Sequence, residues 1–322
     1  MKVLLRALLP ALLMVWMHTL NAQSYPSKPI ELVVHTSPGG GSDLVARIVA
    51  EIIAREKFLP QVLVVQNRAG GGGAIAQNYV AGKRGDPYTV LSVAVSVLLS
   101  VPIRTGLDVG LDKFQPLGLI GFDLNCLAVR EDSPYRTAKD FVNAARTNPK
   151  SINIAVGSIG ATAHHFIHQL EQLTGAKFNV VSFKSGADAA TAVLGGHVHA
   201  TAENLGEILP HAETKKMRLL GIPAEKRLAG VPDVPTMKEQ GYDLHIGSGR
   251  GFAAPAGIPR DAATVLEDTV AKVYKSAGWQ EYMARNMYES VYMNAEEFGR
   301  YLAARHVEMN RFLTEVGLAQ KK

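Results

Sequence analysis

Short β-rich runs that break into glycine and then turn into helix recur along this chain. Ile30 to His35 (IELVVH) enters Thr36-Ser37-Pro38-Gly39-Gly40-Gly41, followed by Ser42-Asp43 and a helical stretch from Leu44 to Arg55. Val62 to Asn67 (VLVVQN) leads into Gly70-Gly71-Gly72-Gly73 and a helix-forming segment from Ala74 to Val80. Tyr88 to Val93, then Ala94 to Ser100, keep the same rhythm. Strands alternating with helices require right-handed crossovers and predict an α/β architecture on a mostly parallel sheet.

A second series begins near Cys126. Cys126 to Val129 reads as a strand, and Thr137-Ala138-Lys139-Asp140 opens a helix with a capping-box pattern. Ile152 to Val156 enters Gly157-Ser158-Ile159-Gly160 and a helix from Ala161 to Leu173. Asn179 to Phe183, Gly186 to Leu194, Ala200 to Ala202 and Leu219 to Ile222 continue the alternation, the second of these as a helix. Two such series predict two α/β lobes. From Asp261 onward the pattern is almost wholly helical, a tail able to pack back onto the first lobe. A chain of 322 residues, 47% hydrophobic and 20% charged, has ample core for this and does not read as disordered.

The first 22 residues read as a cleaved secretory signal. Lys2 and Arg6 precede an uncharged run from Ala7 to Met17, and Leu20-Asn21-Ala22 ends in a small residue. The run is shorter than the roughly 20 residues a bilayer span needs, so the mature chain is expected to be soluble and periplasmic. A single cysteine, Cys126, excludes an internal disulfide framework and a multi-cysteine zinc site. The formal net charge of +5 is mild, and the basic residues lack aromatic interleaving, which excludes a nucleic-acid partner.

Two junctions carry the chemistry: Pro38 to Asp43 and Gly157 to Thr162. Each places backbone N–H groups and a hydroxyl at a helix N-terminus, where the partial positive charge suits a carboxylate, sulfate or phosphate. An ordinary tight turn with Ser42 as N-cap has the same local pattern. One junction in each lobe, however, predicts a ligand clasped between facing helix ends. Catalytic patterns are missing: no G-x-x-x-x-G-K-[ST], no complete G-x-G-x-x-G and no G-x-S-x-G. Neither a catalytic residue nor a cofactor is expected. His164, His165, His168, His197, His199 and His211 crowd the second series. His164 and His168 share a helix face, and His197 and His199 are spaced to share a strand face. That opens an alternative, a metal or metal–carboxylate receptor.

With these loops in view, the chain resembles the Bug family, the periplasmic substrate-binding proteins of tripartite tricarboxylate transporters. The resemblance rests on an ordered series: Tyr25 to Ile30, Pro38 to Asp43, Val65 to Gly72, Gly157 to His164, Leu194 to Val198, Val231 to Thr236, Ala253 to Pro259 and Ala295 to Phe298. It implies a two-lobed, type II Venus-flytrap fold, with lobe 1 formed by 23–125 plus 245–322 and lobe 2 by 126–244. It implies a small carboxylate ligand, delivery by a monomer to membrane components of such a transporter or to a sensor kinase, and no covalent chemistry. By position, Gly40, Gly41, Ser42 and Asp43 would form one jaw. Ser158, Gly160, Ala161, Thr162 and His164 would form the other, with Gly73, Ala74 and Ser96 along the wall. The chain departs from the family pattern at Ser182 to Gly186, at His199, where an Asp is usual, and at Gly85-Asp86-Pro87-Tyr88.

Overall fold

The computed structural model describes residues 25–244 and 246–320. The expected secretory segment lies outside them. Two five-stranded sheets organise the chain. The first contains β1 (Ile30–Val34), β2 (Leu63–Asn67), β3 (Thr89–Ala94), β4 (Phe114–Leu124) and β10 (Gly247–Pro255), in the order β2-β1-β3-β10-β4. The second contains β5 (Leu127–Arg130), β6 (Asn153–Val156), β7 (Asn179–Ser182), β8 (Ala200–Thr201) and β9 (Met217–Gly221), in the order β7-β6-β8-β5-β9.

The expectation of mostly parallel sheets needs correction. β1 pairs in parallel with β2 and β3, but β10 is antiparallel to both β3 and β4. In the second sheet β6 is parallel to β7 and β8, while β5 is antiparallel to β8 and β9. The physical reason is the chain's return. β4 and β5 meet end to end through Asn125 and Cys126, and the chain comes back through 222–246 into the middle of the first sheet. Where the two passages meet, Asn125 donates its N–H to the Ile246 carbonyl at 3.4 Å.

The helices are α1 (Gly41–Glu56), α2 (Ala74–Ala81), α3 (Val95–Thr105), α4 (Ala138–Thr147), α5 (Thr162–Thr174), α6 (Gly186–Leu194), α7 (Leu205–Glu213), α8 (Arg260–Lys275), α9 (Ala277–Arg285) and α10 (Ala295–Glu315). α1 begins at Gly41, three residues before the expected Leu44, with Gly40 as its N-cap, so Ser42 is inside the helix rather than capping it. Each sheet buries an apolar layer on both faces. Ile52, Leu266, Val273 and Trp279 pack on one face of the first sheet, and Leu98, Phe298, Leu302 and Phe312 on the other. The Trp279 indole N–H donates to the Ile120 carbonyl at 3.0 Å, satisfying the one polar atom of a fully buried side chain. The C-terminal helix α10 contacts α3 and β4, so the tail does return to the first lobe.

The Thr137–Asp140 capping box forms as the pattern predicts: the Asp140 N–H donates to Thr137 Oγ1 at 3.0 Å, and Asp140 Oδ2 accepts the Thr137 N–H at 2.9 Å. Thr137→Ala is expected to cost about 1 kcal/mol in urea unfolding, with no effect on ligand binding.

Candidate functional site

Strand ends and helix starts from both sheets converge where the lobes meet. In open α/β sheets this is the crevice where ligands bind. α1 and α5 point their N-termini into it. Ala161, the N-cap of α5, has no side chain able to cap the helix, so the first-turn amides lack an intrahelical acceptor. Lobe closure is made by direct contacts. Ser96 Oγ, at the start of α3, accepts the Thr162 N–H at 3.2 Å and lies 2.7 Å from Thr162 Oγ1. Across the same gap His168 Nε2 meets Glu315 at 3.0 Å, and Ser37 donates to Asp188 at 3.3 Å.

Between the lobes lies a cavity of about 40 Å³. Of the residues expected at the site, Gly41, Ser42, Ser96, Ser158, Ala161 and Thr162 line it. The others stand behind this wall. Gly40 donates its N–H to the Ser37 carbonyl at 3.1 Å. The Asp43 carboxylate is consumed by the Gly39 N–H (2.9 Å), Arg47 (2.8 Å) and Asn67 (2.8 Å). Burial pushes that carboxyl up, but these bonds outweigh it and hold it below the ordinary range. Gly73 caps α2 at a left-handed φ of 100°, and Ala74 packs in an apolar cluster. Gly160, also left-handed (φ 75°), donates its N–H to His164 Nδ1 at 3.1 Å. His164 stands edge-on to Phe312 with burial holding its pKa down at about 4, so it is a neutral acceptor behind the loop. A second cavity of about 390 Å³ shares Ser96 and Thr162 with the first and is bordered by Phe122, His165, Tyr301 and Arg305.

The side chains that dominate the small cavity were not expected. Arg250, in the middle of β10, donates from Nη2 to Asp123 Oδ2 (2.6 Å) and to Asn204 Oδ1 (2.8 Å), and from Nη1 to Ser42 Oγ (3.1 Å). Both members of the Arg250–Asp123 pair are buried. Glu203 follows β8, Asn204 is the N-cap of α7, and Glu207 lies in the first turn of α7. Glu207 Oε1 accepts the Gly41 N–H at 2.7 Å, bridging the lobes. Glu203 Oε1 accepts the Gly157 N–H at 2.5 Å. The two glycine loops thus each give an amide to a carboxylate of the chain itself. Burial pushes both glutamates above their ordinary range, Glu203 to about 7 and Glu207 well up, Glu207 further by its proximity to Glu203.

The close fit leaves no room for a Cβ on Gly186, at the start of α6: it would collide with Glu207 Oε2 and stand 2.9 Å from Glu203 Oε2. Gly186→Ala is expected to destabilise the protein by about 1–3 kcal/mol through overpacking. In a Glu207→Ala background the loss should shrink, leaving the closer approach to Glu203 Oε2; an equal loss in both backgrounds would place the clash elsewhere.

His164, His165 and His168 gather around the Phe312 ring rather than a shared metal position. His165 stacks on Phe312 and bonds Gln169, His168 meets Glu315, and His199 Nδ1 accepts the Asn153 N–H. His197 and His199 lie in the turn before the two-residue strand β8, not on a strand face, because the α6 C-terminus and Gly196 use up that stretch. Among the described residues there is no group of three or more His, Cys, Asp or Glu side chains placed to hold a metal ion. The metal-receptor alternative has lost its constellation.

Two lobes closing on a cleft at strand ends and helix N-termini define a type II binding protein. The chain belongs to the tripartite tricarboxylate transporter family receptors (TctC), whose model matches residues 45–318. It is 30% identical to Protein BugT of Bordetella pertussis over 274 residues, covering 82% of each chain. Among solved structures, the periplasmic binding protein BugD superposes with a TM-score of 0.85 at 25% identity, covering 92% of this chain and all of the other. The R. palustris protein Rpa4515 with adipate superposes with a TM-score of 0.85 at 26% identity, covering 92% of this chain and 99% of the other. The chain is therefore a solute receptor of this family and not an enzyme. No helix among the described residues is long and apolar enough to cross a membrane.

Proposed function

We propose that the protein is a periplasmic receptor that binds a small carboxylate-bearing solute between its lobes. As a monomer it hands the solute to the membrane components of a tripartite tricarboxylate transporter. The lobes divide at 126 and 245, and the linking segments act as the hinge. The observation that carries this reading is the α5 N-terminus. Beyond Thr162, whose N–H goes to Ser96, its first turn has no side-chain cap and faces the cleft beside Ser158 and Ser96, with the α1 N-terminus opposite. A carboxylate docked there gains from the helix-end charge and from several N–H and O–H donors at once. Adipate, a carboxylate of the same general kind, occupies the related R. palustris protein.

The test is a thermal-shift panel on residues 23–322 with di- and tricarboxylates, aromatic acids, acidic and neutral amino acids, and the corresponding amides. A ligand at 100 times its Kd adds about 2.7 kcal/mol of stability, a shift of several degrees. At least one carboxylate should shift the transition saturably while its amide does not. A shift by Zn²⁺ alone, abolished by EDTA, would instead restore the metal reading, and turnover of a bound acid would overturn the receptor reading.

A further inference from the structure

We propose that the solute carries a protonated nitrogen, and that Glu203 and Glu207 are the residues that select it. The inference rests on the receptor reading of the cleft and names the chemistry of its ligand.

The amides that each glycine loop offers to a ligand anion are already bonded to a tethered carboxylate, Gly41 N–H to Glu207 and Gly157 N–H to Glu203. A second carboxylate entering this chamber must displace one of them and stand beside the other. The cation that could relieve the crowding is spoken for. Arg250 closes on Asp123, and its other N–H groups go to Asn204 and Ser42. His35, which also lines the chamber, is held neutral by burial and by Arg250. One pair cancels, and Glu203 and Glu207 form no ion pair of their own among the described residues, although Arg250 lowers the pKa of both. Beside these two acids a like charge is disfavoured and an opposite one favoured.

The acceptor geometry agrees. Glu207 Oε2 is buried with no hydrogen-bond partner, on a side chain more than nine-tenths buried against the cavity. Thr36 Oγ1, from the opposite lobe, is likewise buried and unpartnered on the cavity wall. Glu203 Oε2 lies close to Glu207 Oε2, both near the position that a Gly186 Cβ would take. The paired Glu203 and Glu207 oxygens, with Thr36 on the same cavity wall, offer acceptors to an ammonium, which has no acceptor to offer the amides. A chamber of about 40 Å³ has room for a head group of that size, while the rest of the solute extends toward Ser96 and the α5 N-terminus. Burial pushes both carboxyls up, Glu203 to about 7, so near neutral pH an ammonium arriving at Glu203 displaces a proton to solvent.

The experiment uses matched α,ω series of three, five and seven carbons: the dicarboxylate, the ω-amino acid and the diamine, titrated calorimetrically into residues 23–322. An amine-bearing member should bind at least tenfold tighter than its dicarboxylate, with proton release seen as a buffer-dependent heat at pH 7. In Glu203→Gln/Glu207→Gln, shown to be folded by circular dichroism, that member should lose at least tenfold and the proton release should vanish. A dicarboxylate binding as tightly as its amine analogue in wild type would overturn the inference and leave the receptor reading intact. An amine affinity unchanged in the double variant would do the same. A best ligand among the diamines would uphold the inference and overturn the carboxylate part of the proposed function. No binding by any member would count against both.

Discussion

Arg250→Met is expected to lower the unfolding free energy by roughly 3–5 kcal/mol, the cost of leaving a buried charge without its partner. Asp123 is buried with one oxygen already lacking a partner, and Arg250 is the cation bonded to the other. Burial pushes the Asp123 carboxyl up and Arg250 counters it. Removing the guanidinium leaves a desolvated carboxylate held only by the Tyr288 hydroxyl at 2.8 Å, and strips Asn204 and Ser42 of a shared donor. Arg250→Lys should fall in between, because a point-charge ammonium cannot reach three acceptors as a planar fork does. Adding Asp123→Asn to Arg250→Met should recover most of the loss by removing the stranded charge. Urea unfolding followed by tryptophan fluorescence, which reads Trp279 on the same sheet, measures all four chains. A loss below 1 kcal/mol in Arg250→Met, or no recovery in the double variant, would falsify this account of the pair.

The same residues mark the limit of what the sequence disclosed. The glycine loops were legible because each junction is local: strand, glycine and helix follow one another within fifteen residues, as from Ile30 to Leu44. The α6 helix, Gly186–Leu194, was legible for the same reason. Arg250 was not. Its strand opens Gly-Ser-Gly-Arg-Gly, with none of the β-branched residues that betray a strand. That segment is extended because β3 and β4 flank it on both sides, a tertiary cause that no local window contains. β4 was hidden by Pro116, Gly118 and Gly121. The last two adopt φ near 150°, and a Cβ on Gly118 would stand 3.2 Å from the Met293 carbonyl. Glu203 and Glu207 carried a faint signal: one acid just past a strand and another in the first turn of the next helix. That placement puts both at the carboxyl end of the second sheet. The meeting of Glu207 with Gly41 spans 166 positions in the chain, and only the closed fold shows it.

Stability is expected to form a dome with its maximum near pH 6.5, and the two glutamates should set its alkaline side. On the acid side, burial lowers His35 to about 3 and His164 and His165 to about 4. These rings stay neutral in the folded state while the unfolded chain protonates them below about 6.5, so stability is lost as pH falls through that window. Glu203 and Glu207 oppose this between their ordinary value of 4.5 and their raised ones, because the folded state holds their protons. Three histidines outweigh two glutamates there, and stability still rises with pH. Above 6.5 the histidine contribution is complete and the sign reverses. Each proton the folded state keeps and the unfolded chain releases costs about 1.4 kcal/mol per pH unit. The groups that face the glutamates are Asp123 on β4, whose carboxyl burial also pushes up, and Arg250 on β10, which counters that rise. Wild type should therefore lose stability as pH rises from 6.5 through about 7, the value to which Glu203 is raised. Glu203→Gln/Glu207→Gln should be flat over that interval, more stable than wild type at pH 8.5, and steeper than wild type between pH 5 and 6.5. Thermal unfolding across this range in constant ionic strength measures both limbs. A double variant that kept the alkaline slope would show that the glutamates are charged and matched in the folded state, and that some other group carries the proton.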